Sequence, residues 1–243
     1  MRKLSRPFLL AFLALAFWQA IVMLGLLPPF ILPGPIVVAT TIWTDRALLA
    51  SHSLVTLQEV ALGFVFGAGL GAGAAILMMW SPVARGGLRP LFNASQAIPV
   101  FVLAPILTLW FGYGIAPKIA MTILLVFFPI ASGLLDGMLS TPQQSLDLAH
   151  IAKAGRWREM IWLRLPHALP QLAASIRIAV TYAPTGAVIG EWIGASRGLG
   201  YLMLMANARS RIALMFAALL LIVAMTLLLQ TVADRLLKRW IGA

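Results

Sequence analysis

The sequence predicts an all-α polytopic membrane protein with six transmembrane helices, and three observations carry that prediction. Hydrophobic residues make up 61% of the 243 and charged residues only 10%, where a soluble domain carries about 25% charged. Six apolar runs approach the roughly 20 residues that a helix needs to cross a hydrocarbon core of about 30 Å. Lysine and arginine crowd into alternate connections between those runs. No linker divides the chain, so residues 1–243 read as one helical bundle.

Phe8–Leu27 is the first run and is uncharged. Its start, MRKLSRP before an apolar stretch containing Ala14-Leu15-Ala16, resembles a cleavable leader. The stretch continues through Trp18 to Leu27, longer than a leader core, so the first span is expected to be retained. Leu54–Trp80 is the second run, with Glu59 near its start, where it is expected to be solvated at the outer interface. Its Gly63, Gly67 and Gly71 recur at i, i+4 and i+8. Small residues at that spacing let helix backbones approach where lipid supplies no hydrophobic drive. The GAGLGAG run has the glycine density of a dinucleotide-binding loop, but no strand precedes it and no acid follows at the required distance.

Asn93–Trp110 is the third run, interrupted by Pro99 and Pro105, and Ile119–Leu139 is the fourth, with Asp136 at its end. Leu169–Ile189 is the fifth, carrying Arg177, expected to snorkel to the inner surface, and Pro184, which has no N–H for the Val180 carbonyl. Backbone groups freed at membrane depth are tolerated against protein or a water-filled cavity, and broken helices recur at transport sites. Glu191 follows this run, where it can gate the outer mouth or pair with Arg197. Trp110, Tyr182 and Trp192 can stack on a planar solute in the pathway or simply belong to the interfacial aromatic belt. Ile212–Val232 is the sixth run.

Placing the N-terminus inside leaves only Arg46, Lys118, Arg197, Arg209 and Arg211 outside, apart from Arg177 within the fifth span. Both termini are therefore expected to be cytoplasmic. That orientation also explains a net charge of +11 without nucleic acid, since no continuous basic face exists to track phosphates. The absence of cysteine excludes disulfides and thiolate chemistry, and His52, His150 and His167 lack metal-ligand spacing. A secondary transporter would need an acidic relay, and Glu59, Asp136 and Glu191 are dispersed. A membrane hydrolase would need a nucleophile and base at depth, and neither is visible. The chain reads as no enzyme.

One segment is polar, TPQQSLDLAHIAKAGRWREMIWLRLPHALP, Thr141 to Pro170. An amphipathic helix from about Ser145 to Trp162, between Pro142 and Pro166, would fit either a lipid interface or a groove on a partner. Asp147-Leu148-Ala149, then Lys153, then Leu163-Arg164-Leu165-Pro166 resembles the Glu-Ala-Ala, three residues, Gly, nine residues, Ile-x-Leu-Pro pattern of permease subunits of binding-protein-dependent ABC importers. Asp147 replaces Glu, Leu148 replaces Ala, and Lys153 stands at the glycine position, with Gly155 expected to take over the turn. Ile98–Ile119 resembles the permeases for sulfonates, taurine, nitrate and thiamine-precursor pyrimidines, and Ala183–Arg209 most resembles the last group, which includes permeases for hydroxymethylpyrimidine.

The resemblance implies the type I importer fold, related to the methionine permeases, working as a homodimer in the cell inner membrane. It implies that loop 141–168 is a cytoplasmic coupling helix for a dimer of ATPase subunits. Asp147 would pair with the ATPase, Ala149 would pack in its cleft, and Leu165 and Pro166 would fix the exit into the next span. A periplasmic or lipid-anchored binding protein would deliver substrate. No Gly-x-x-x-x-Gly-Lys-[Ser/Thr] phosphate loop occurs, so ATP is expected on the partner, with no cofactor in this chain.

Overall fold

The computed structural model describes residues 5–241, and among them every regular element is helical. In chain order these are α1 Ser5–Met23, α2 Pro35–Thr44, α3 Arg46–Trp80, α4 Pro82–Ser95, α5 Val100–Phe111, α6 Ala116–Leu139, α7 Gln143–Ile151, α8 Arg156–Glu159, a π-helical turn Met160–Arg164, α9 Leu165–Trp192, α10 Leu199–Ala208 and α11 Ile212–Ile241. Among the described residues, four helices are long and apolar enough to cross a membrane: Arg46–Trp80, Ala116–Leu139, Arg156–Trp192 and Ile212–Arg239. Arg2 and Lys3, cytoplasmic when the N-terminus is placed inside, and the rest of residues 1–4 that open the MRKLSRP stretch lie outside the described residues.

The expected third span is not one straight helix. α4 and α5 meet at a bend of 104°, and the 12 residues of α5 extend only about 18 Å. Pro99 explains the break, because it has no N–H to continue α4 and biases Ile98 away from helix. With the bend counted as one span, the long crossings among the described residues number five.

α3, α6 and α9 form the centre, and glycine lets them do so. A Cβ at Gly63 would overlap Thr122, one at Gly67 would lie 2.9 Å from the Val126 Cβ, and one at Gly71 would lie 2.7 Å from the Phe127 carbonyl oxygen. Gly69 and Gly73 face open space. The i, i+4, i+8 stripe is thus the contact face, as its spacing predicted. Contact positions rise together on both helices, so α3 and α6 run parallel, and the chain must return between them through α4 and α5. A second stripe, not anticipated from the sequence, joins α6 to α9. A Cβ at Gly137 would lie 2.9 Å from Ala168, one at Gly186 2.7 Å from Thr122, and one at Gly190 2.8 Å from Lys118. Those partners run in opposite order, so α9 is antiparallel to α6. Val60, Val126, Ile130, Ala179, Ala183 and Ala187 fill the middle layer. Met78, Leu135, Met138, Met160 and Ala168 close the end near α7.

The short apolar helices α2 and α10 were also not anticipated. Both lie at the opposite end, where Val38, Leu49, Leu199, Leu202 and Leu214 form a separate cluster with α11.

Candidate functional site

The polar segment does not form the single helix expected over Ser145–Trp162. It breaks after α7, where Lys153 takes φ +50°. The Lys153 N–H donates to the His150 carbonyl at 3.0 Å and the Ala154 N–H to the Ala149 carbonyl at 2.8 Å. That pair of bonds is a Schellman motif, whose left-handed position normally holds glycine. Lys153 itself therefore makes the turn at the family's glycine position. Gly155, at φ −70° and ψ 157°, has ordinary extended backbone and does not take the turn over.

Leu146 and Ala149 are the buried residues of α7, the latter only 7% exposed. The Ala149 methyl lies against this chain, contrary to the expectation that it packs in a partner's cleft. Asp147, Leu148 and Ile151 form the outward surface, and Asp147 accepts from the Gln143 amide at 2.9 Å. Beyond the turn, Arg164 ion-pairs with Glu159 at 2.7 Å and donates to the Met138 carbonyl at 3.2 Å, tying the loop to the end of α6. The π turn precedes Pro166, which offers no N–H to the Trp162 carbonyl, and the Leu165 N–H reaches back to Met160 instead. Leu165 packs on the loop-end core, and Pro166 is exposed where α9 begins.

At the opposite end the structure buries three charged side chains that sequence reasoning had placed elsewhere. Glu59 is 3% exposed, Lys118 3% and Glu191 1%. Glu59 is not solvated, because α3 begins at Arg46 and carries it well inside the helix. Lys118 is not a loop cation: it lies in the first turn of α6, where its ammonium bonds the Gly114 carbonyl. Glu191 does not pair with Arg197. Its carboxyl accepts from the Thr56 hydroxyl at 2.6 Å and from the Gly200 N–H at 2.5 Å. Thr56 also accepts the Leu199 N–H at 2.8 Å, and Nδ1 of His52 lies 3.0 Å from the Gly198 nitrogen. Gly198, Leu199 and Gly200 open α10, so its orphan N–H groups are met by side chains from α3 and α9. Glu59 sits beside this knot with Oε2 unpartnered.

Trp110, Tyr182, Pro184, Glu191 and Trp192 are not gathered at one place. Pro184 is buried within a continuous α9, and Glu191 belongs to the knot. Trp110 is 72% exposed and Trp192 49%. Tyr182 lines a cavity of about 490 Å³ with Gln96, Ser132, Asp136, Gln171 and Ser175, a wall of hydroxyl, amide and carboxyl groups set in apolar helices. Arg177, expected to snorkel, pairs with Asp234 of α11 at 2.7 Å, and Asp136 pairs with Arg89 at 2.8 Å.

Residues 63–241 match the family model described as binding-protein-dependent transport system inner membrane component. A probable ABC transporter permease protein of Haemophilus influenzae is 46% identical over 98% of each chain. The formylaminopyrimidine transport permease protein ThiX of Halalkalibacterium halodurans is 41% identical over 71% of this chain and 70% of the relative. The riboflavin transport system permease protein RibX of Chloroflexus aurantiacus is 36% identical over 94% and 87%. Among solved structures, the inward-facing MetNI methionine ABC transporter superposes with a TM-score of 0.70 at 20% identity, covering 81% of this chain and 97% of that one. That likeness shows the fold. The motif in loop 141–168, the bundle around α3, α6 and α9 and these matches agree: the chain belongs to the binding-protein-dependent inner-membrane components, the multi-pass permeases of ABC importers, which are transport subunits and not enzymes.

Proposed function

We propose that this permease imports a thiamine-precursor pyrimidine such as hydroxymethylpyrimidine. The similarity to a formylaminopyrimidine permease is the observation that carries the reading. The similarity to a riboflavin permease supports the wider class of planar nitrogen heteroaromatics. The cavity beside Tyr182 suits such a solute, because it pairs a phenol ring with hydroxyl and amide partners that can exchange hydrogen bonds with a heteroaromatic ring.

In this reading residues 1–243 form one permease domain, two copies build the path, and both termini face the cytoplasm. The outward surface of α7, with Asp147, Leu148 and Ile151, seats on a dimer of cytoplasmic ATPase subunits, and Ala149, Lys153 and Gly155 shape that surface from behind and beside it. Leu165 and Pro166 pass the motion into α9. A binding protein, periplasmic or lipid-anchored, delivers substrate at the far end, where the Glu191 knot holds α10 against α3. ATP binding on the partner then drives alternating access.

The second reading, a sulfonate, taurine or nitrate permease, is favoured by Ile98–Ile119, which those permeases resemble as well. Uptake of labelled hydroxymethylpyrimidine, with taurine as comparison, in cells lacking the gene and in complemented cells decides between them. Restored, ATP-dependent pyrimidine uptake is expected. Taurine uptake alone would overturn the pyrimidine reading.

A further inference from the structure

A second cavity, about 340 Å³, lies at the α7 end, and its chemistry is unlike that beside Tyr182. Trp80, Arg85, His150, Arg156, Glu159 and Arg164 contribute to its wall. The charges do not cancel. Glu159 is engaged by Arg164 at 2.7 Å, with His150 at 3.9 Å. Among the described residues Arg85 and Arg156 have no ion-pair partner, although both line this one space.

Their setting is that of a lipid interface. α4, which carries Arg85, starts directly behind α3, with Pro82 in its first turn and the Ala84 N–H capped by the Ser81 hydroxyl at 3.1 Å. It packs inward through Leu88 and Phe92, while Val83, 86% exposed, and Leu91 point outward. A helix with arginines on one side and outward apolar residues on the other is suited to lie in the headgroup layer. Trp80 meets Trp157 edge-on at 5.8 Å at the same helix end, and indoles favour that depth.

We infer that this cavity binds the phosphate of an anionic phospholipid headgroup. Arg85 and Arg156 supply two planar forks, one from α4 and one from α8 within loop 141–168, to the phosphodiester oxygens. Met79, Pro82 and Leu139 supply an apolar wall for the glycerol and the first acyl carbons. Basic pockets between transmembrane helices at the cytoplasmic face suit such headgroups. A lipid held there bridges α4 to α8, and so steadies the turn at Lys153 that presents the coupling surface. The inference does not depend on which solute is carried.

The test uses the permease–ATPase complex in nanodiscs of phosphatidylcholine alone or with added phosphatidylglycerol, read by ATP hydrolysis and by native mass spectrometry of retained lipid. The wild-type complex is expected to retain phosphatidylglycerol and to hydrolyse ATP faster when it is present. Arg85→Gln with Arg156→Gln should lower retention roughly 30-fold and flatten the lipid response. Arg89→Gln, whose side chain pairs with Asp136 outside the cavity, should keep both. Equal lipid retention in the double variant would overturn the inference. So would full restoration by inorganic phosphate in phosphatidylcholine discs, which marks a free-anion site. Loss of ATPase binding in both lipids would overturn it too, since the arginines would then be reading the ATPase.

Discussion

The Thr56 hydroxyl lies 2.6 Å from Oε1 of Glu191, two residues 135 positions apart in the chain. The same oxygen of Thr56 accepts the Leu199 N–H, so one small side chain joins α3, α9 and α10. Substituting Val at Thr56 preserves the shape and strands a buried carboxyl oxygen and a buried N–H. A loss of about 2 kcal/mol in stability is expected, measured as an earlier thermal transition of the purified permease in detergent. An unchanged transition would show that water replaces the hydroxyl there.

Gly198→Ala should be at least as damaging. Its φ of +109° is unfavourable to any Cβ, and the added carbon would meet the Glu191 carboxyl. Reduced yield of folded protein, seen as loss of a monodisperse peak in size exclusion, is the expected result.

The glycine stripe offers an internal control. Gly63→Ala must push α3 away from Thr122, whereas Gly69→Ala meets nothing within 4 Å. The first should lower the thermal transition, at a cost of about 1–3 kcal/mol for overpacking. The second should be neutral or slightly stabilising, because Ala exceeds Gly in helix preference. Equal effects from the two variants would contradict the observed face.

Lys153→Gly should relieve the left-handed backbone and stabilise the turn by about 1 kcal/mol. Slower amide hydrogen exchange across α7 and the turn would report it. Lys153→Val should do the reverse, since a β-branched residue tolerates φ +50° less well.

Asp147→Arg tests the coupling surface. The residue is exposed and its one side-chain bond is to Gln143, so membrane insertion and thermal stability should persist while co-purification of the ATPase falls. Undiminished ATPase binding and transport would remove Asp147 from the coupling surface.

Tyr182→Ala tests the path. Half the side chain faces out beside the polar cavity, so pyrimidine uptake should drop several-fold with the amount of membrane-inserted protein unchanged. Full uptake would place substrate contact elsewhere.

Much of this architecture was legible in local pattern. Hydropathy located α3, α6, α9 and α11, because burial in lipid demands long apolar helices whatever they pack against. The Gly63, Gly67 and Gly71 stripe announced a contact face by spacing alone. The matching stripe of Gly137, Gly186 and Gly190 was readable by the same rule, and its distribution over two helices hid it. Asp147 to Pro166 carried the family resemblance, yet helical periodicity ran straight through Lys153, since a left-handed lysine leaves no mark in composition.

The sequence by itself determined the membrane class, the places of the long helices and the family, since all three follow from hydropathy and motif spacing along a continuous stretch of chain. Only the tertiary structure decided that Glu59, Lys118 and Glu191 are buried together and that Glu191 serves α10 instead of Arg197. It alone decided that the third crossing bends by 104°. The physical reason is distance along the chain: His52 meets Gly198 across 146 positions, and a bond of that kind exists only after α3, α6 and α9 have closed on their glycine faces.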